Sequence, residues 1–97
     1  MKTDRELLEL AARAAGIEIV EWSCIEESCD AIARLEDMRL HKWNPLTDDG
    51  DALRLAVKLG IDISEAQVCY WDKVGNDPYA ATRRAIVRAA AAIGETL

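Results

Sequence analysis

The chain of 97 residues has no phenylalanine, two prolines, five glycines and one histidine. Without phenylalanine, the aromatic part of any core must come from Trp22, Trp43, Trp71 and two tyrosines. So little glycine and proline excludes collagen-like and linker-dominated classes. No apolar run approaches the roughly 18 residues that span a bilayer. The opening Met1-Lys2-Thr3-Asp4-Arg5-Glu6 turns acidic at once and lacks the apolar stretch of a signal peptide, so a cytoplasmic protein is expected. There is no glycine-rich phosphate loop. His41 has no serine or cysteine near it in sequence to suggest a nucleophile–base pair. No pair among the 18 acids is singled out for glycoside chemistry. The three cysteines, Cys24, Cys29 and Cys69, contain no CxxC pair. With His41 they formally make a Cys3His set, but the spacings fit no standard zinc knuckle. Scattered thiols of this kind are expected reduced, and an intermolecular disulfide is a commoner fate for them than zinc. An enzyme is therefore not expected, nor a metal or cofactor.

What is present is ordinary globular composition, 51% hydrophobic and 31% charged, expected to form one domain over 1–97. Net charge is −6, which repels phosphate backbones unless the basic residues segregate. They do so in part. Residues 18–37 carry Glu18, Glu21, Glu26, Glu27, Asp30, Glu36 and Asp37 against one basic residue, Arg34, whereas Arg83, Arg84 and Arg88 cluster late.

Local pattern lays out the elements. Thr3 and Glu6 have capping-box spacing, Leu7, Leu8, Ala11, Ala14 and Ala15 recur at helical intervals, and Gly16 supplies a left-handed stop. A helix over 4–15 follows. Residues 17–22 are β-branched and aromatic and read as a strand. Residues 23–43 admit two readings. Ser23 with Glu26, and Ile25, Cys29, Ile32 and Leu35, have helical spacing; alternatively 31–35 and 38–43 flank a Glu36-Asp37 turn as a hairpin. Local pattern alone leans to the helix.

Pro45 bars Asn44 from helical geometry, and Thr47 or Asp48 then caps a helix over 48–59 with Ala52, Leu53, Ala56, Val57 and Leu59 as its apolar stripe and Gly60 as its stop. Residues 61–63 and 66–71 read as strand, and 74–78 as a turn. Asn76 or Asp77 caps a last helix over 78–93, with Pro78 at its first position and Gly94 as its stop. Asp48, Asp49 and Asp51 invite a calcium reading. The twelfth loop position, where a bidentate Glu is required, falls on Leu59 or Gly60, and neither can ligate. Acids in a first helical turn are instead expected to cap orphan N–H groups and complement the macrodipole.

The blocks "TDRELLELAARAAGI", "WNPLTDDGDALRLAVKLGI" and "NDPYAATRRAIVRAAAAIG" together resemble small uncharacterised proteins of tailed phages and prophages, of the phage αβα-sandwich type. The likeness covers 3–17, 43–61 and 76–94, about half of the chain, and carries no catalytic residues. It implies origin and fold rather than chemistry. It also implies that 31–35 is strand, with 40–43 leading into Trp43, against the local lean to helix. The cysteines and the acidity of this middle segment depart from that pattern.

The expected fold is α+β: a small, mainly antiparallel sheet packed with helices 4–15, 48–59 and 78–93 in a sandwich, the last two covering a sheet face. The expected activity is that of a small acidic phage accessory protein acting in the bacterial cytoplasm by binding a host or phage protein, to modulate a host process or defence system. Its candidate surface comprises Glu26, Glu27, Asp30, Glu36, Asp37, Trp22, Trp43, Trp71, Arg83, Arg84 and Arg88. A ligand pocket or minor enzyme site among the three tryptophans, and a nucleic-acid contact through the three arginines, are the alternatives. Homodimerisation fits all three readings, a membrane none, and three arginines are few for phosphate binding in so acidic a chain.

Overall fold

A computed structural model describes residues 3–25, 28–35, 38–61 and 77–97. In chain order the elements are α1 (Asp4–Ala15), β1 (Glu18–Ile25), β2 (Ser28–Arg34), β3 (Leu40–Trp43), α2 (Asp49–Leu59) and α3 (Pro78–Glu95). The expected strands at 61–63 and 66–71, and the turns at 36–37 and 74–78, fall wholly or largely outside the described residues.

Local chemistry sets the helix ends. The Thr3 hydroxyl accepts the Glu6 N–H at 3.2 Å and donates to the Glu6 carboxylate at 3.3 Å. Asp48 caps α2 by accepting the Gly50 N–H, and Asp77 caps α3 by accepting from Tyr79 and Ala80. Gly16 and Gly60 both lie in the left-handed region, at φ +71° and +68°, so the N–H of Ile17 and Ile61 can fold back to Ala12 and Ala56.

The sheet has the order β1-β2-β3, antiparallel throughout. Ser28–Arg34 and Leu40–Trp43 are thus strands, in keeping with the strand that the resemblance implied over 31–35 and its lead-in at 40–43, and the helical spacing of the apolar residues there is overridden by pairing. Ala31 stands between Trp22 and Trp43, and Ala33 between Ile19 and His41. Directly opposed residues share a face. A bulge between Ile19 and Glu21 absorbs one residue, so Ile19 and Trp22 both stay on the inner face although three positions apart. Alanines at the centre of that face, Ala31 and Ala33, let the helices come close.

The helices form the second layer. One hydrophobic cluster joins Ala31, Ala33 and Trp43 of the sheet to Leu7, Leu8 and Ala11 of α1, Leu55 and Ala56 of α2, and Ile86, Val87 and Ala90 of α3. The most extensive seam runs between α1 and α3, α3 also packs on α2, and α1 lies along β1. The expectation that α2 and α3 would be the main cover of the sheet is thus modified: among the helices, α1 makes the closer approach to it. Arg84 reaches Asp4 and Gly94 meets Leu10, so α1 and α3 run in the same sense.

Two details differ from expectation. Gly94 does not stop α3, which continues to Glu95 with Thr96 as its cap. A Cβ at residue 94 would lie 2.1 Å from the Leu10 carbonyl oxygen, so this glycine is there for close approach of two helices. The stripe of α2 is also rotated. Asp51, Ala52, Leu55 and Ala56 are its buried residues, whereas Leu53 and Val57 are exposed. Ala52, Leu55 and Ala56 form the apolar face, and Asp51 on its edge is buried with its carboxylate hydrogen-bonded. No helix among the described residues is long and apolar enough to cross a membrane.

Candidate functional site

The "NPLTDDGD" segment is a structural clasp. The backbone N–H of buried Asn44 donates to Asp51 at 3.0 Å, and its side-chain amide donates to Asp30 on β2 at 2.8 Å. The Asn44 side-chain oxygen accepts the Leu46 N–H at 3.1 Å, shaping the turn that Pro45 imposes. Asp51 is 5% exposed and also accepts from Arg54 at 2.6 Å. One carboxylate therefore ties the end of β3 to the first turn of α2. Arg83 closes the clasp from α3, donating to the Leu46 carbonyl at 2.8 Å and to Asp49 at 2.6 Å. All three acids of the segment thus accept internal hydrogen bonds, but only Asp48 caps a helix N–H; Asp49 accepts from Arg83 and Asp51 from the Asn44 N–H.

The same contacts settle where several candidate surface residues lie. Asp30 holds Asn44 and stands 3.6 Å from Lys42. Arg83 is largely buried in the clasp, and Arg84 pairs with Asp4 at 3.1 Å. Arg88 is exposed on α3. Arg83 and Arg84, both proposed as part of an anion contact, thus serve intramolecular bonds. Trp43 is 3% exposed and belongs to the core, so it offers no surface. Trp22, on the same row of the sheet, is half-buried. Glu26, Glu27, Glu36, Asp37 and Trp71 lie outside the described residues.

Cys24 is disulfide-bonded, which corrects the expectation of reduced thiols. The register that sets Cys24 opposite Cys29 was hidden from sequence reading, because it exists only once β1 and β2 pair. A sulfur held in a disulfide is not a thiolate, so the formal Cys3His set is not available in this state. Among the described residues, no three His, Cys, Asp or Glu side chains gather as a metal site.

Among the described residues, an opening lies between α1 and β1. It is a groove of about 670 Å³ lined by Glu6, Glu9, Leu10, Arg13, Ile19 and Trp22, with Ala12 and Ile17 at its base. Its wall is built by the two elements in different ways. Glu6, Glu9 and Arg13 recur at three and four residues on α1, forming a polar stripe beside the buried one. The bulge in β1 brings Ile19 and Trp22 to the same face, opposite that stripe. Arg5 sits over the indole of Trp22, 4.9 Å from the ring centroid, and pairs with Glu9 at 3.5 Å. Both partners of that ion pair are more than half exposed. The groove thus combines an apolar floor, one aromatic face and carboxylates on the rim.

Of the groove's lining, only Trp22 was among the candidates from sequence. Glu6, Glu9 and Arg13 were missed because a polar helical stripe reads as an ordinary solvated face, and Ile19 because the bulge is not visible in the pattern. In comparisons with known proteins, the chain matches no family model, no curated protein and no solved structure.

Proposed function

We propose that this protein acts by binding another protein, with the α1–β1 groove as the docking site. The observation that carries this reading is the groove itself. A half-buried tryptophan beside isoleucine and leucine, rimmed by charged groups, has the anatomy of an interface core with a polar border. On the clasp side, by contrast, Asp49, Asp51 and Arg83 are engaged with one another's segments of the chain. The resemblance to phage and prophage proteins supports an accessory role, in which the partner is a host or phage protein met in the bacterial cytoplasm. The excess of acid, −6 overall, supports a partner with a basic surface.

The test is affinity capture from host lysate with tagged wild-type protein, a groove variant, Trp22→Ala, and a control on the exposed part of α2, Leu53→Glu. A partner retained by wild type and control and lost with the groove variant supports the reading. A partner retained by Trp22→Ala and lost with Leu53→Glu overturns it. The groove volume also falls in the range of small-molecule sites, roughly 300–1,000 Å³. Saturable binding of a metabolite with no protein captured would favour that alternative.

A further inference from the structure

The Arg5 guanidinium occupies a subsite that its surroundings define better than its own attachment does. It lies over the face of Trp22 at 4.9 Å and beside Glu9 at 3.5 Å, on the rim of a groove whose rim also bears Glu6. An aromatic face with carboxylates beside it is the arrangement that recognises a planar cation. Arg5 is held there weakly. The pair is solvent-exposed, of the kind that adds little net stability, so an outside cation can replace Arg5 at little cost.

We propose that Arg5 is a built-in stand-in for the partner, and that the groove takes an arginine side chain of the bound protein in exchange for it. This rests on the groove reading above and adds the chemistry of the occupant. The incoming guanidinium stacks on Trp22 and pairs with Glu9, its aliphatic stem lies against Ile19 and Leu10, and the displaced Arg5 swings into solvent. Arginine is favoured over lysine because a planar, weakly hydrated guanidinium gains from the indole face what a compact ammonium does not.

Acetyl-arginine amide tests this, with acetyl-citrulline amide as its neutral isostere. The readout is the indole N–H resonance of Trp22, assigned by its disappearance in Trp22→Leu. The arginine probe is expected to shift that resonance saturably at millimolar concentration, and the citrulline probe to leave it in place. Arg5→Ala and Arg88→Ala remove the same charge, one inside the subsite and one on α3. Arg5→Ala is expected to tighten binding about threefold beyond Arg88→Ala, and Glu9→Gln to weaken it about threefold. Equal binding of the two probes, or equal effects of the two arginine variants, would overturn the proposal. Either failure leaves the groove reading standing if the captured partner still depends on Trp22. Loss of that dependence removes both.

Discussion

The seams made by α3 and the groove made by α1 with β1 use similar residues to opposite ends. Along α3, small residues let helices meet at backbone distance, as Gly94 does against Leu10, and the acids nearby are tied to internal donors. Along β1, the acids of α1 stand on the rim of an open groove, and the Arg5–Glu9 ion pair there is solvent-exposed. Beyond the helix caps, carboxylates therefore contribute most to this fold where a buried N–H or an anchored guanidinium awaits them. The difference between Asp51 and Glu9 lies in burial and partner, and residue type has no part in it.

That contrast can be broken at its strongest point first. Gly94→Ala should destabilise by about 3 kcal/mol, because the added Cβ meets the Leu10 backbone and α1 and α3 must part; a fall of roughly 15 °C in the thermal midpoint checks it. Asp51→Ala should cost about 2 kcal/mol by orphaning the buried Asn44 N–H, read from denaturant midpoints. Asp51→Asn, which can still accept that bond, should recover about half.

The groove side has a brace of its own in the disulfide of Cys24, two residues beyond Trp22. Cys24→Ser should cost about 2 kcal/mol, near the low end for loss of a disulfide. A dithiol reductant should lower the thermal midpoint of wild type and leave that of the variant unmoved. Arg83→Ala should cost about 1 kcal/mol, since it frees the Leu46 carbonyl and Asp49 to water without burying a charge. Glu9→Gln should change stability by less than about 0.5 kcal/mol while altering binding in the groove. A groove acid as costly as Asp51 would sink the comparison.

Helix ends and turn chemistry were legible in the sequence because they depend on neighbours within four residues. Thr3 with Glu6, Gly16, Gly60 and the Asp77-Pro78 pair all act locally, and each performs the role its spacing announces, as does Asp48 at the start of α2. The acidic loop was legible as a helix start for the same reason. Segment 23–43 was not. Its apolar residues satisfy helix and hairpin spacing alike, and the choice belongs to pairing with β1 and β3, which a linear pattern does not contain.

The amino-acid sequence by itself determined the α+β class, the three helices and, except at the end of α3, their stop signals, and the acidic balance, since these follow from periodicity, local hydrogen bonding and charge count. Only the tertiary structure decided that Gly94 is a contact and not a stop, that Asp51 is buried while Leu53 is exposed, that Trp43 is core and Trp22 a groove wall, and that Cys24 is oxidised. The Gly94 contact depends on a carbonyl of α1 brought from far along the chain, the burial of Asp51 on an amide outside its helix, and the placing of the tryptophans on an alanine of β2. The energy of such contacts is set by distance in space, which separation in sequence does not encode.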